Sequence, residues 1–274
     1  MLHIEHFNNG WMNPVLAFSL SFIGSVLGLR CAVHAKTSTT PIGWLIAAAV
    51  AIGGAAIWVM HFTAMLGFSI DGAPIRYDVP TTLLSAVISI GVVLIGLTIV
   101  IRGRREWLTL PLGGAVTGFG VAAMHYLGMR AMRSGAVIAY RPPLVALSIV
   151  IAVVAATTAL WFMLHVRGLV RTAGAALVMG IAVCGMHYTA MAAMRVQLDL
   201  TRTPVSGLSP GVLVVPIVVV AAVALLAMFV SALQAMTQEE FGDGPSPRLA
   251  ATEQRPYRRL PRPRVTMEGA GPRR

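Results

Sequence analysis

Charged residues are scarce in this sequence. They account for 11% of 274 residues, whereas a soluble domain carries about 25%. Apolar residues amount to 57% of the chain, and its mean hydropathy is +0.77. The composition therefore excludes an ordinary soluble domain.

Cysteine, lysine and catalytic groups are also nearly missing. The 2 cysteines are too few for a disulfide framework. The only lysine, Lys36, is predicted to lie in a loop, which argues against a retinal protein because retinal is held as a Schiff base by a lysine inside a helix. The apolar segments contain no carboxylate pair, Ser/His/Asp set or phosphate-cradling glycine loop. We therefore expect a protein that is not an enzyme.

The apolar residues are arranged in seven long segments separated by short loops. A helix that spans a membrane needs roughly 20 apolar residues, and backbone groups in hydrocarbon must be satisfied within the segment. The segments are Pro14–Val33, Gly43–Met65, Leu83–Ile101, Leu108–Met129, Leu144–Leu164, Ala173–Met194 and Val212–Leu233. The sequence thus predicts an all-α polytopic membrane protein, with a seven-helix domain over residues 1–236.

The remaining residues, 237–274, form a tail rich in arginine and proline. With few apolar residues, such a segment is predicted to be disordered. A solvated basic tail near anionic lipid headgroups accounts for this composition, and a docking segment for a partner is the alternative. The net charge of +11 therefore does not indicate a nucleic-acid partner.

Lysine and arginine collect on the cytoplasmic side of membrane proteins. With the N-terminus outside, 15 of the 21 basic residues lie on the inner side, eight of them in the tail. The predicted location is the plasma membrane, with the N-terminus outside and the C-terminus in the cytoplasm.

Three of the segments carry the same motif near their ends. The copies are Met60-His61-Phe62-Thr63-Ala64-Met65, Met124-His125-Tyr126-Leu127-Gly128-Met129 and Met186-His187-Tyr188-Thr189-Ala190-Met191. A glycine precedes each first methionine by six residues (Gly54, Gly118 and Gly180), and small residues let helices approach closely. The repeating unit is a pair of helices, present three times with a seventh helix added. Because the second, fourth and sixth helices run in the same direction, all three motifs lie at one membrane face.

The three motif histidines stand out chemically. Apart from Arg30 near one helix end, the segments contain no aspartate, glutamate, lysine or arginine, and ionisable groups inside a membrane are functional by default. Histidine and the second methionine of each motif are four residues apart and share a helix face. Met132 and Met194 extend this face by three residues in the second and third copies. Cys184 lies on the face of His187, but we interpret it as a small buried apolar residue.

Imidazole together with thioether is a donor set for a soft metal. Imidazole is the commonest protein metal ligand, and thioether selects copper, above all Cu(I). Hard cations such as calcium prefer carboxylate and carbonyl oxygens, and the segments contain no carboxylate. The repeat therefore predicts a copper site near the outer membrane face.

At these motifs the sequence resembles the MHYT family of bacterial membrane sensor domains. Met186-His187-Tyr188-Thr189 is a literal match, whereas the other two copies differ at Phe62 and Leu127. The resemblance covers about residues 10–236 and implies copper binding and the sensing of oxygen, carbon monoxide or nitric oxide. It implies the ligands His61, His125, His187, Met60, Met124 and Met186. The shared helix face adds Met65, Met129 and Met191.

Members of this family often continue into a cytoplasmic domain that makes or degrades cyclic di-GMP, or into a kinase or DNA-binding domain. Here the basic tail follows instead, so a stand-alone domain is expected to signal to a separate cytoplasmic protein. The motif tyrosines are candidates for hydrogen bonds that support the metal ligands, a role that Phe62 cannot share.

Two other functions use the same residues. Copper transport or handling at the outer face would need ligands deeper in the membrane, where Met179 is one candidate. Haem ligation by two of the histidines would give a membrane electron-transfer protein. We expect sensing before either alternative.

Overall fold

The computed structural model describes residues 4–5, 8, 10–38, 41–70, 74–198, 206–220, 222–223, 226 and 230. Six helices are long and apolar enough to cross a membrane. They are α1 (Met12–Thr37), α2 (Pro41–Met65), α3 (Val79–Arg102), α4 (Glu106–Ala131), α5 (Pro142–His165) and α6 (Leu169–Ala192). The protein is therefore an all-α, multi-pass membrane protein.

A shorter apolar helix, α7 (Pro210–Val220), occupies the first part of the predicted seventh span. The rest of that span is described at only a few positions, and the predicted tail, 237–274, lies outside the described residues. All seven described helices belong to one compact unit, Met1–Phe229. The predicted loop position of Lys36 is wrong, because α1 continues past the apolar segment and places this lysine in its last turn.

The six spanning helices form a closed ring. Each helix packs chiefly on its two sequence neighbours, and α6 packs on α1 to complete the circle. The motif-bearing helices α2, α4 and α6 therefore alternate with the others. They also run in the same direction, so their C-terminal ends lie at one end of the bundle, which we call the motif end.

Short antiparallel ribbons follow the motif helices. Strand β1 (Ile4–Glu5) pairs with β2 (Ser69–Ile70), β3 (Arg76–Tyr77) with β4 (Met132–Arg133), and β5 (Ala136–Tyr140) with β6 (Met194–Leu198). Since β2, β4 and β6 come directly after α2, α4 and α6, the ribbons stand at the motif end. They join consecutive repeats. For example, β3 lies in the loop between α2 and α3 and pairs with β4, which follows α4.

Met132 and Met194 do not extend the helix faces of their motifs, which corrects the sequence prediction. Helix α4 ends at Ala131 and α6 ends at Ala192. Met132 and Met194 are the first residues of β4 and β6. The predicted faces therefore end at Met129 and Met191, because the chain changes to extended structure to form the ribbons.

Helix α2 is unusual because its middle, Val50–Val59, is wound as a π-helix. Most π-helical segments are single turns, often at functional sites. Here Ser89 Oγ of α3 donates a 2.6 Å hydrogen bond to the carbonyl of Gly53. A Cβ on Gly53 would stand 2.7 Å from the Ser89 carbonyl oxygen. The wide turn and the glycine together let α3 approach the backbone of α2.

The predicted role of glycine in close helix packing is confirmed at some positions and wrong at others. A Cβ on Gly118 would lie 2.4 Å from Val153 Cα of α5, and one on Gly120 would lie 2.3 Å from a Val92 methyl of α3. A Cβ on Gly180 would lie 3.1 Å from Phe18 Cε2 of α1, whereas one on Gly54 would meet nothing closer than 3.8 Å. Only the glycines that face a neighbouring helix bring it close.

Asp78 joins the motif end of α4 to the start of α3. Its carboxylate accepts hydrogen bonds from the Thr81 hydroxyl at 2.6 Å and the Thr81 amide at 3.1 Å, which caps the N-terminus of α3. Arg133 of β4 forms an ion pair with the same carboxylate. The hydrogen bonds from Thr81, followed by the positive charge of Arg133, hold the pKa of the Asp78 carboxyl below its usual range.

Candidate metal centre

The three motif histidines lie at similar depths in the bundle. His61 is four residues from the end of α2, and His125 and His187 lie a little deeper below the ends of α4 and α6. Each is 1% exposed. The three histidines therefore lie near the same end of the bundle, as expected for motifs on helices that run in the same direction.

Their side chains meet on the axis of the bundle. The Nδ1 atom of His61 lies 3.1 Å from Nδ1 of His187 and 3.2 Å from Nδ1 of His125. The ring centroids are 4.8 to 5.2 Å apart, and the three ring planes are nearly perpendicular in pairs, at 77° to 82°. The three rings thus form a compact cluster, which we call the histidine triad.

The ring of helices explains why the triad forms. Helices α2, α4 and α6 occupy alternate places around the ring, so equivalent residues of the three repeats face the axis from three sides. Equal depth along the helices then brings the imidazoles together. The internal repeat, rather than any single motif, creates the site.

Hydrogen bonding alone does not satisfy the triad. A neutral imidazole nitrogen offers either one N–H or one lone pair, so His61 Nδ1 cannot form a full hydrogen bond with both neighbours at once. In addition, the Nε2 atoms of His61 and His125 are buried without a hydrogen-bond partner. Polar atoms buried in this way are costly, and such exceptions call for an explanation.

A metal ion fits this arrangement. Ligand nitrogens about 2.0–2.1 Å from a tetrahedral or trigonal ion are roughly 3.3–3.6 Å apart, close to the two Nδ1 separations observed. Ligand nitrogens of all three histidines lie within 4.8 Å of one another, and this is the one cluster of possible metal-binding histidine, cysteine or acidic side chains found among the described residues. The residues therefore fit a metal bound through three imidazoles.

All six methionines of the predicted ligand set are buried. Their exposed fractions are 1% for Met60, Met124 and Met129, 2% for Met65 and Met186, and 3% for Met191. Met60 packs in a small cluster with Ala17 and Ala64, and Cys184 and Tyr188 pack against this cluster. The other five methionines belong to the main core. Their role as ligands stays a prediction. Cys184, which the sequence led us to interpret as a buried apolar residue, packs against the Met60 cluster but is only partly buried.

The aromatic residue of each motif contacts its own histidine through its ring. Phe62, Tyr126 and Tyr188 lie edge-on to the preceding histidine, with centroids 4.7 to 5.0 Å apart. The hydroxyl of Tyr126 bonds to Ser148 Oγ of α5 at 2.8 Å. Because Ser148 donates its own proton to the Val145 carbonyl, Tyr126 is the donor in this bond. Tyr126 therefore links α4 to α5 rather than supporting a ligand, and phenylalanine in the first copy supplies the same ring contact.

The substitution Tyr126→Phe tests this assignment. We expect a loss of about 1 kcal/mol in unfolding free energy, the net value of one hydrogen bond, and unchanged copper binding. Thermal unfolding and copper content of the purified variant measure the two effects separately. A marked loss of copper with little loss of stability would instead indicate that the hydroxyl of Tyr126 supports the metal ligands.

The ribbons close the motif end over the triad. Tyr77 of β3, 1% exposed, packs against Phe62 with centroids 6.0 Å apart. Tyr140 of β5 packs against Tyr126 at 5.5 Å and 90°. An aromatic residue from a ribbon thus covers the motif aromatic in two of the three copies, and the triad is shielded from water.

Three further residues position the triad and were not identified from the sequence. A Cβ on Gly128 would lie only 2.5 Å from His61 Nε2, so this glycine makes room for the imidazole. Asn13 of α1 is buried and donates its amide to the Thr63 carbonyl at 2.9 Å, and Trp58 donates to Ser85 Oγ of α3 at 3.0 Å. Asn13 lies one residue before the predicted segment Pro14–Val33, so the apolar pattern gave no signal for it. His3 and His6, near the N-terminus, lie outside the described residues.

Similarity to known proteins agrees with the repeat found in the sequence. Residues 54–113, 118–176 and 180–240 each match the MHYT family, described as a bacterial signalling protein N terminal repeat. The matches begin at Gly54, Gly118 and Gly180, the glycines that precede the motifs. No solved structure matches the chain.

Curated relatives include two proteins of Pseudomonas aeruginosa. The bifunctional diguanylate cyclase/cyclic di-GMP phosphodiesterase MucR is 42% identical over 81% of this chain and 34% of its own length. The cyclic di-GMP phosphodiesterase NbdA is 43% identical over 52% of this chain and 19% of its own length. The signaling protein YkoW of Bacillus subtilis is 32% identical over 69% of this chain and 24% of its own length. The chain spans about a third or less of the length of these relatives. With three matched repeats that together cover more than half of its residues, the protein belongs to the MHYT family of bacterial signalling proteins.

Proposed function

We propose that this protein is a membrane sensor domain that holds copper at the histidine triad and responds to a diatomic gas or to redox state. The observation that carries the proposal is the convergence of three buried Nδ1 atoms with separations of 3.1 and 3.2 Å. Imidazole nitrogen with nearby thioether favours copper among the divalent and monovalent metals. The apolar segments of the described helices contain no carboxylate, and Glu106 lies at the start of α4, at the opposite end from the triad, which argues against a hard cation.

Each part of the chain has a distinct role in this proposal. His61, His125 and His187 hold the metal, and the buried methionines Met60, Met124, Met186, Met65, Met129 and Met191 are candidates for additional soft ligands. Bound copper would supply a redox couple and a coordination position for a gas. The ribbons and their tyrosines exclude water, which strengthens electrostatic interactions at the site.

A structural change at the metal site can be transmitted through the helices that carry the histidines. Any change in the separation of the three imidazoles moves α2, α4 and α6 relative to one another, because each histidine is fixed to a different helix. The arginine distribution favours the motif end at the outer surface. We therefore propose that the signal reaches a separate cytoplasmic protein at the opposite end of the bundle, and we assign no catalytic reaction to this chain.

Metal analysis of the purified protein tests the proposal. In detergent or nanodiscs, the wild type is expected to carry copper, and the variant H61A/H125A/H187A is expected to carry none. Carbon monoxide added to the reduced wild type is expected to give an infrared band that the triple variant lacks. A wild type as free of copper as the triple variant would overturn the proposal. A Soret band would show haem instead, and copper uptake into vesicles would show transport.

A further inference from the structure

An internal cavity lies directly beneath the histidine triad. Its volume is about 50 Å³, and all six spanning helices contribute to its wall. Ile57, Val121 and Val183 line it, and each lies four residues before a motif histidine. At 1.5 Å per residue, these three residues lie roughly 6 Å from the triad, on the side away from the motif end, and Met186, a candidate ligand beside His187, also lines the cavity. It therefore shares the central axis with the proposed metal site.

The wall of the cavity is suited to an apolar guest. Among its lining residues, Ser25 and Thr117 supply the two hydroxyls, and Thr117 donates to the Val92 carbonyl. A buried water needs two to four polar partners, but the wall leaves Ser25 Oγ as the one hydroxyl without a hydrogen bond. Apolar cavities of this kind stay dry and bind xenon or small apolar molecules. Its volume also exceeds the 10–15 Å³ or so that a single water requires, so a diatomic molecule fits.

A groove on the lipid-facing surface leads towards this cavity. It runs between α5 and α6 and is lined by Val150, Val154 and Val178, which are 58%, 59% and 46% exposed. Ala155 and Met179 line both the groove and the cavity. The side chains of Ala155 and Met179 therefore lie between the groove and the cavity. Apolar molecules favour hydrocarbon over water, so the groove faces the medium in which such molecules concentrate.

We propose that the cavity is a binding site for a small apolar molecule of diatomic size, which arrives laterally from the lipid between α5 and α6. The molecule passes Ala155 and Met179 and then lies within one helical turn of the triad. Its role as the sensed ligand rests on the proposed function. Its binding in the cavity depends only on the shape and polarity of the wall.

Xenon binding to the metal-free protein tests this site without any contribution from copper. Xenon NMR of the protein in nanodiscs is expected to show one bound population in exchange with the lipid. The substitution Ala156→Leu, in the cavity wall, is expected to abolish that population, and the smaller Ala156→Val to reduce it. Ala146→Leu is the matched control, because Ala146 is an exposed residue of the same helix outside both linings. Absence of bound xenon in the wild type, or equal binding by Ala156→Leu, would overturn the site.

The route is tested by a separate substitution. Ala182 lines the groove but not the cavity, so Ala182→Phe is expected to lower the rate of xenon exchange while leaving its occupancy unchanged. Ala146→Phe should leave both quantities at their wild-type values. An exchange rate unaffected by Ala182→Phe would overturn the lateral route. Bound xenon in a protein that never acquires copper would support this inference and contradict the proposed function. Copper binding in a protein that binds no xenon would support the proposed function and contradict this inference.

Discussion

The substitution His61→Ala is expected to lower copper affinity more than either His125→Ala or His187→Ala. His61 is the histidine whose Nδ1 atom lies close to both of the others, at 3.1 and 3.2 Å. The rings of His125 and His187 have the widest centroid separation of the three pairs, 5.2 Å. Removal of His61 therefore leaves the most distant pair, whereas removal of either neighbour leaves a close pair.

The expected loss for His61→Ala is on the order of 100-fold or more, because even partners outside the ligand set typically cost 10–100-fold in metal affinity. Competition with a copper chelator measures it in all three single variants. His165→Ala is the matched control, since His165 is 43% exposed at the far end of α5 and pairs with Glu106. Thermal unfolding of each variant separates ligand loss from the cost of a buried cavity. Equal losses in the three variants would contradict the central position of His61.

The location of the triad was predictable from the sequence because it depends on repetition. Similar motifs at nearly equal intervals on alternate helices fix a similar depth and a common face. The convergence of His61, His125 and His187 then requires only that the helices close into a ring. The six spans were predictable for a different reason. Length and apolarity, which can be read from the sequence, decide whether a helix crosses a membrane.

The ribbons were not predicted, because their signal is short and mixed with that of the helix ends. Met194 and Val196 are buried while Arg195 and Gln197 are exposed, the period-two pattern of a strand. This alternation begins only two residues after α6 ends, so Met194 also fitted the continuing helix. The pairing of β5 with β6 over five residues decides the matter in favour of the strand, and it depends on a partner that lies far away in the sequence.

Local winding and individual contacts were likewise beyond the sequence. The apolar run Val50–Val59, made of valine, isoleucine, alanine, glycine and one tryptophan, has nothing to distinguish a π-helix from an α-helix. Its winding accompanies the close approach of α3, where Ser89 bonds the Gly53 carbonyl. In the same way, Gly54 and Gly118 hold equivalent places in the repeat, but only Gly118 lies against the backbone of a neighbour. The repeat is regular in sequence, while its packing differs from copy to copy.

For the substitution Gly128→Ala, the effect expected from the motif and the effect expected from the structure differ most. The other two copies carry alanine at the equivalent position, Ala64 and Ala190, so the motif alone predicts a neutral change. In the structure, a Cβ at Gly128 would stand 2.5 Å from Nε2 and 3.1 Å from Cδ2 of His61. Close-packed interiors do not absorb such an overlap without a shift of side chains or backbone. The imidazole of His61 must therefore move away from its two partners.

We expect Gly128→Ala to weaken copper binding by about 10- to 100-fold, the range seen when groups that orient a ligand are lost. Gly185→Ala is the control, because Gly185 lies in motif helix α6, two residues before His187, and a Cβ there meets nothing within 4 Å. Copper affinity should be unchanged in that variant. If Gly128 acts through His61, Gly128→Ala should have no further effect in a His61→Ala background, since effects on one interaction are not additive. A full additional loss in the double variant would show that Gly128 serves the site by another contact.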